Sequence, residues 1–312
     1  MTPKRKFSPR GYVHIFNITT DRGVCFYSAV DCLVWFTLFC RLCIKYQVRV
    51  LAVCIMLNHY HFEAWFPSLE VMAAMMRELD SCFTKAYNRQ YGRSGPLFNE
   101  RRYGSALKLK EQKVRENFLY IGNNPVVKKS VSRAEGYRWN FLAYMEKRHP
   151  FSKMIPVRES SRALRCVLAE VRRCREQGRG LGYEFFEGMY RQLDGRERQF
   201  VMDEIVNAFN VIDYKAVERM WGGFEKMCAA LKTAWGAEYD LDDDSSAEDY
   251  RHYYQMISMA NKMGFDPARG EPARLKERLV RAFIWEVGAT KTEIIKMLHL
   301  GEDCPAAVFG NV

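Results

Sequence analysis

Two histidines separated by one residue, His59 and His61, stand inside the apolar run CIMLNHYHFEAWF (residues 54–66). Buried strands seldom carry an imidazole, because its ring nitrogens need partners once removed from water. In an extended strand, residues i and i+2 share a face, so both rings project together and Tyr60 projects to the other. Two neighbouring neutral imidazoles can ligate one divalent ion. They can equally be two separately satisfied histidines. The segment NFLYIGNNPV (117–126) bears on that choice. Tyr120 and Asn124 lie about 40° apart on one helical face, given about 100° per residue. The Asn124 amide oxygen is then a candidate third ligand, with the Tyr120 phenol one turn away. Such a set leaves coordination positions open for a phosphate oxygen, as a catalytic ion requires.

The elements that must position these groups are legible in outline. GYVHIFNITT (11–20) is rich in β-branched and aromatic residues and reads as a strand. Residues 28–47 have helical spacing. VRVLAVCIML (48–57) and HYHFEAWF (59–66) read as two strands broken at Leu57-Asn58. Residues 68–92 form a long predicted helix with Ser68 as N-cap. A short strand is expected within 92–110, and a helix over 111–124 that stops at Pro125. This β-α-β-β-α-β order predicts an α+β fold, a ferredoxin-like (RRM-like) antiparallel sheet with helices over residues 1–150. Residues 133–145 close the unit. Residues 151–312 read as a mainly α-helical accessory domain, with the acidic stretch 239–250 separating two helical groups.

Composition narrows the classes. The chain has 312 residues, 48% hydrophobic and 27% charged, enough for a substantial core. Its net charge of +11 is uneven: residues 1–150 carry 24 Lys/Arg against 11 Asp/Glu, and the remainder carries 24 against 26. The basic excess lies with the histidine pair and suits a polyanionic partner. Ten cysteines show no disulfide spacing, and Cys40 and Cys43 lack a second pair to complete a zinc site. The apolar stretch 32–40 is too short to span a bilayer and is bracketed by Asp31 and Arg41. The first ten residues lack the apolar core of a signal peptide. A cytoplasmic protein with no membrane partner is expected.

The motifs also carry a resemblance. LNHYHF, SGPLFNERRYGS (94–105) and YIGNNPVVKKSVSRAEGYRWNFLAY (120–144) resemble the IS200-like single-tyrosine transposases, a family of HUH enzymes, and above all their REP-associated branch. The similarity spans roughly residues 10–147. It implies that His59, His61 and Asn124 hold Mg²⁺ or Mn²⁺ and that Tyr120 is the nucleophile. It further implies a bacterial, nucleoid-associated enzyme, monomer or homodimer, that cleaves and rejoins single-stranded or hairpin DNA through a 5′-phosphotyrosine. Leu57 stands where the family often has proline, and Tyr60 is bulkier than its usual central residue. The chemistry is sound in itself. A phenol of pKa near ~10 needs its charge stabilised to attack, and a divalent ion on the scissile phosphate does that.

Two further readings compete. The same sheet in RNA-recognition domains binds single strands without chemistry, but binding alone would not need Tyr120 with Asn124. A zinc hydrolase built on His59 and His61 would need a carboxylate base, for which Glu63 is the nearby candidate on that strand face. Arg101, Arg102 and Tyr103 form a basic, aromatic stretch able to stack an unpaired base and contact phosphate. Residues 274–301 have the outline of a helix-turn-helix, with Thr290 and Glu293 as a capping box. Packed helical hairpins share that outline.

Overall fold

The computed structural model describes residues 5–98, 103–156, 158, 160–234, 250–265, 273–298 and 300. Its first half is a four-stranded antiparallel sheet: β1 (Tyr12–Ile18), β2 (Arg49–Ile55), β3 (His59–Trp65) and β4 (Gly104–Lys108), in the order β2-β3-β1-β4. This is the predicted ferredoxin-like arrangement. Alternation sorts the strands' side chains onto two faces. Val13, Ile15, Tyr60, Phe62 and Ala64 join a core with α1 (Ala29–Lys45) and α2 (Leu69–Tyr91). Ala52 and Cys54 belong to a second core, under α3 (Glu111–Val127).

Local chemistry sets the helix ends. Ser28 and Asp31 form a capping box at the start of α1. Asp31 is fully buried and also accepts hydrogen bonds from the Tyr91 and Tyr183 hydroxyls, both at 2.7 Å. One carboxylate therefore ties α1 to α2 and to α5 (Tyr183–Gly188). Ser68 caps α2 as expected, and Gly92 ends it in the left-handed region at φ 60°. The expected stop at Pro125 is corrected: α3 runs through that proline to Val127. Proline removes one N–H and crowds the carbonyl of Ile121 one turn back, and the helix ends two residues beyond it. The chain then turns sharply, with Ser130 N–H donating to the Pro125 carbonyl at 2.8 Å and Lys129 at φ 55°.

Gly104 fills a special position. It pairs with Phe16 across β1 and β4, and a Cβ there would lie 2.0 Å from the Phe16 ring. The bare backbone lets Phe16 fold down over its neighbour and rest 5.9 Å, centroid to centroid, from His61. We expect Gly104→Val to lower stability by about 1–3 kcal/mol through overpacking. In urea unfolding, Phe16→Ala should relieve part of that loss, because the two side chains compete for one volume.

Beyond Pro150 the described chain is helical: α4 (Arg162–Glu176), α5, α6 (Gly195–Phe209), α7 (Tyr214–Trp221), α8 (Phe224–Thr233), α9 (Arg251–Lys262), α10 (Ala273–Ala282) and α11 (Lys291–Leu298). The acidic stretch, apart from Tyr250, lies outside the described residues. The helices pack onto the sheet unit, and each core holds residues from both halves. Leu164, Val167, Phe200 and Ile205 join the first, and Met227, Leu231, Tyr250 and Met256 the second. At the outer edge of the sheet, Val50 of β2 forms a parallel bridge with Ile212. The Asp213 N–H donates to the Val50 carbonyl at 2.8 Å. In the last hairpin, Thr290 and Glu293 make the expected capping box. Gly288 turns the chain at φ 71°, and α11 docks through Tyr27, whose hydroxyl donates to the Met297 carbonyl at 2.7 Å.

Candidate active site

The β3 register carries His59, His61 and Glu63 onto the α3 face, opposite His14, Phe16 and Ile18 of β1. His59 and His61 are buried, with ring centroids 4.9 Å apart and planes nearly perpendicular. From α3, Tyr120 brings its ring to 5.5 Å from that of His61. Asn124 places its amide nitrogen 3.2 Å from His61 Nε2. Helical spacing in α3 and strand spacing in β3 therefore deliver all four predicted groups to one place.

The hydrogen bonds assign ring tautomers. The Asn58 amide N–H donates to the Arg22 carbonyl at 2.8 Å, so its Oδ1 faces the other way as an acceptor. His59 Nδ1 lies 2.7 Å from that oxygen and must carry the proton, leaving its Nε2 lone pair for a ligand. On His61, Nδ1 lies 3.1 Å from His14 Nε2, while Nε2 faces Asn124. With the Asn124 amide donating to Nε2, His61 also holds its proton on Nδ1, and Nε2 is the nitrogen a ligand would take once the amide turns away. Asn124 Oδ1 is buried and, among the described residues, has no hydrogen-bond partner. An unpaired buried acceptor is costly, and a half-turn of the amide would aim it beside His61 Nε2.

The donor set fits a divalent ion. Two ligand atoms on one octahedral Mg²⁺ or Mn²⁺ stand about 3 Å apart, given metal–ligand bonds of about 2.1 Å. Among the described residues there is no group of three or more His, Cys, Asp or Glu placed to share a metal, so the third protein ligand would have to be the Asn124 amide. On the same strand face, Glu63 is fully buried, and burial pushes its carboxyl well above the usual range against the pull of Asn117 and Lys108.

The other predicted residues sit elsewhere. Tyr103 packs against the core on the α1–α2 side, with the Arg5 guanidinium 3.6 Å above its ring. Arg101 and Arg102 lie outside the described residues. Cys40 and Cys43 are buried thiols, raised well above their usual pKa by burial, in keeping with core residues. Three residues of the site were not anticipated: His14, Asn58 and Tyr250. His14 is visible as the lone imidazole of a strand whose only side-chain amide is Asn17. Its place beside His61 depends on which strands pair, which no local pattern encodes.

Fold and side chains together define an α+β unit whose sheet and following helix converge two imidazoles, an amide and a phenol. A solved structure of a REP-associated tyrosine transposase bound to a REP hairpin is similar to this chain. The match has a TM-score of 0.41 and 14% identity and covers 52% of this chain and 92% of that one. The likeness is distant, and the chemistry of the site rests on its own side chains. No family model and no curated protein matches the sequence. No helix among the described residues is long and apolar enough to cross a membrane.

Proposed function

We propose that the protein is a metal-dependent single-strand DNA endonuclease and strand-transferase, of the HUH type that its motifs resemble. The observation that carries this reading is the packing of the Tyr120 ring on His61, the imidazole that also faces Asn124. A binding module needs no such convergence.

His59, His61 and Asn124 would hold Mg²⁺ or Mn²⁺, and that ion supplies electrophilic polarisation of the scissile phosphate. Tyr120 supplies the nucleophile. Its phenol oxygen loses a proton and bonds to phosphorus as the bond to the 3′ oxygen breaks. The 3′ oxygen departs with a proton as a free hydroxyl, and the 5′ phosphate stays on the tyrosine. The phosphodiester's free energy is retained, so attack by another 3′-hydroxyl rejoins a strand without a nucleotide cofactor. Half-buried Tyr120 can meet a backbone from solvent while the histidines stay beneath it.

The substrate is single-stranded or hairpin DNA, since an attacked backbone must lie beside the sheet rather than within a duplex groove. The basic excess of residues 1–150 suits that partner. The test is incubation of full-length protein with Mn²⁺ and a 5′- or 3′-labelled hairpin with single-stranded flanks. We expect a denaturant-resistant adduct carrying the 5′-phosphate side of the cut. Binding without any adduct across a library of hairpin and linear strands would instead identify a non-catalytic binding module.

A further inference from the structure

We infer that Tyr250, from the helical C-terminal half, is a positioning residue for the metal-ligating face of His59; this rests on the proposed metal site. Tyr250 precedes α9, and its side chain is buried. Its hydroxyl donates to Asn58 Oδ1 at 2.7 Å and lies 3.4 Å from His59 Nδ1. Asn58 Oδ1 therefore receives two donors, the Tyr250 hydroxyl and the His59 Nδ1–H, while its Nδ2 is spent on Arg22. That geometry admits one tautomer of His59 and one orientation of its ring.

Tyr250 is itself held at several points. Its backbone N–H donates to the Lys128 carbonyl at 3.2 Å, and the Lys128 ammonium lies 5.7 Å from its ring centroid. Lys128 comes directly after α3, the helix that bears Tyr120 and Asn124. The ring also meets His59 edge to face at 6.5 Å. A tyrosine so near a ligand histidine invites the reading of a second nucleophile. Its position excludes that: the hydroxyl approaches His59 from the Nδ1 side, behind the ring, whereas a ligand would bind at Nε2. Outer partners of metal-binding histidines act by fixing tautomer and orientation, and losing one commonly weakens affinity by about 10–100-fold.

The experiment is calorimetric titration of metal-free, full-length protein with MnCl₂. Tyr250→Phe, which keeps the ring, should weaken Mn²⁺ binding by about tenfold. Asn58→Ala should weaken it at least as much, and the double variant should be no weaker than Asn58→Ala alone, because both act through one chain of bonds. Ring ¹⁵N shifts of His59 should move from a pure Nδ1–H tautomer towards a mixture in both variants, a change that loosened packing elsewhere would not produce. Hairpin binding in chelator should stay within about twofold of wild type. If His59→Ala loses Mn²⁺ binding while Tyr250→Phe retains it within twofold, the positioning role is overturned and the metal site stands. If His59→Ala leaves Mn²⁺ binding unchanged, the metal site falls and the role of Tyr250 with it.

Discussion

Tyr120→Phe is expected to abolish covalent attachment to DNA, a fall of at least about 1,000-fold in adduct formation, while hairpin affinity and thermal stability stay close to wild type. The substitution removes one oxygen and keeps the ring that packs on His14 and His61, at 5.7 and 5.5 Å between centroids. Packing is therefore conserved and only the nucleophile is lost, so the effect belongs to the chemical step. Attack by water in place of the phenol would leave cleavage without an adduct. Denaturing gel analysis with label on either side of the cut separates these products. Adduct formation by the Phe variant at the wild-type rate would assign the nucleophile elsewhere.

The second large effect is expected at His61. It is the most connected member of the cluster, touching His14 through Nδ1 and Asn124 through Nε2, with the rings of Phe16, His59 and Tyr120 around it. His61→Ala removes a ligand and the surface on which Tyr120 rests. Metal-dependent cleavage should fall by about 1,000-fold or more, and raising Mn²⁺ into the millimolar range should restore little of it. Asn124→Ala should lose less and respond more to added metal, because both imidazoles and the phenol keep their places. A chelator should reduce the wild type to the level of the His61 variant. Full cleavage by stripped wild-type protein in chelator would remove the metal from the mechanism.

What could be read from the sequence divides along physical lines. Strand parity alone placed His59 and His61 on one face and Tyr60 on the other, because the period of an extended chain is two residues. Helical spacing likewise brought Tyr120 and Asn124 together, and Ser68 and Thr290 were legible as caps because capping is a local exchange of hydrogen bonds. The end of α3 was misplaced because a proline weakens the turn before it without fixing the residue at which the helix stops, and α3 continues two residues past Pro125. His14 and Tyr250 were out of reach for another reason. Each meets the site across a large separation, 47 residues for the His14–His61 contact and 191 for Tyr250–His59. Only the assembled sheet and the helices laid against it create those neighbours.

The bridge between Val50 and Ile212 has a consequence for the nascent chain. β2 is an outermost strand of the sheet, and its sequence RVLAVCI is uncharged after its first residue. Until residues 212 and 213 emerge, the peptide groups that Val50 later shares with them are uncovered. At ribosomal rates the wait after β2 is roughly 10–30 s. An apolar strand with an open edge is a template for pairing with another chain, and native proteins avoid leaving one exposed. The helical half thus acts as an edge guard. Chains ending before Asp213 would leave the Val50 carbonyl on that edge without this donor, whatever the state of the histidines and the tyrosine.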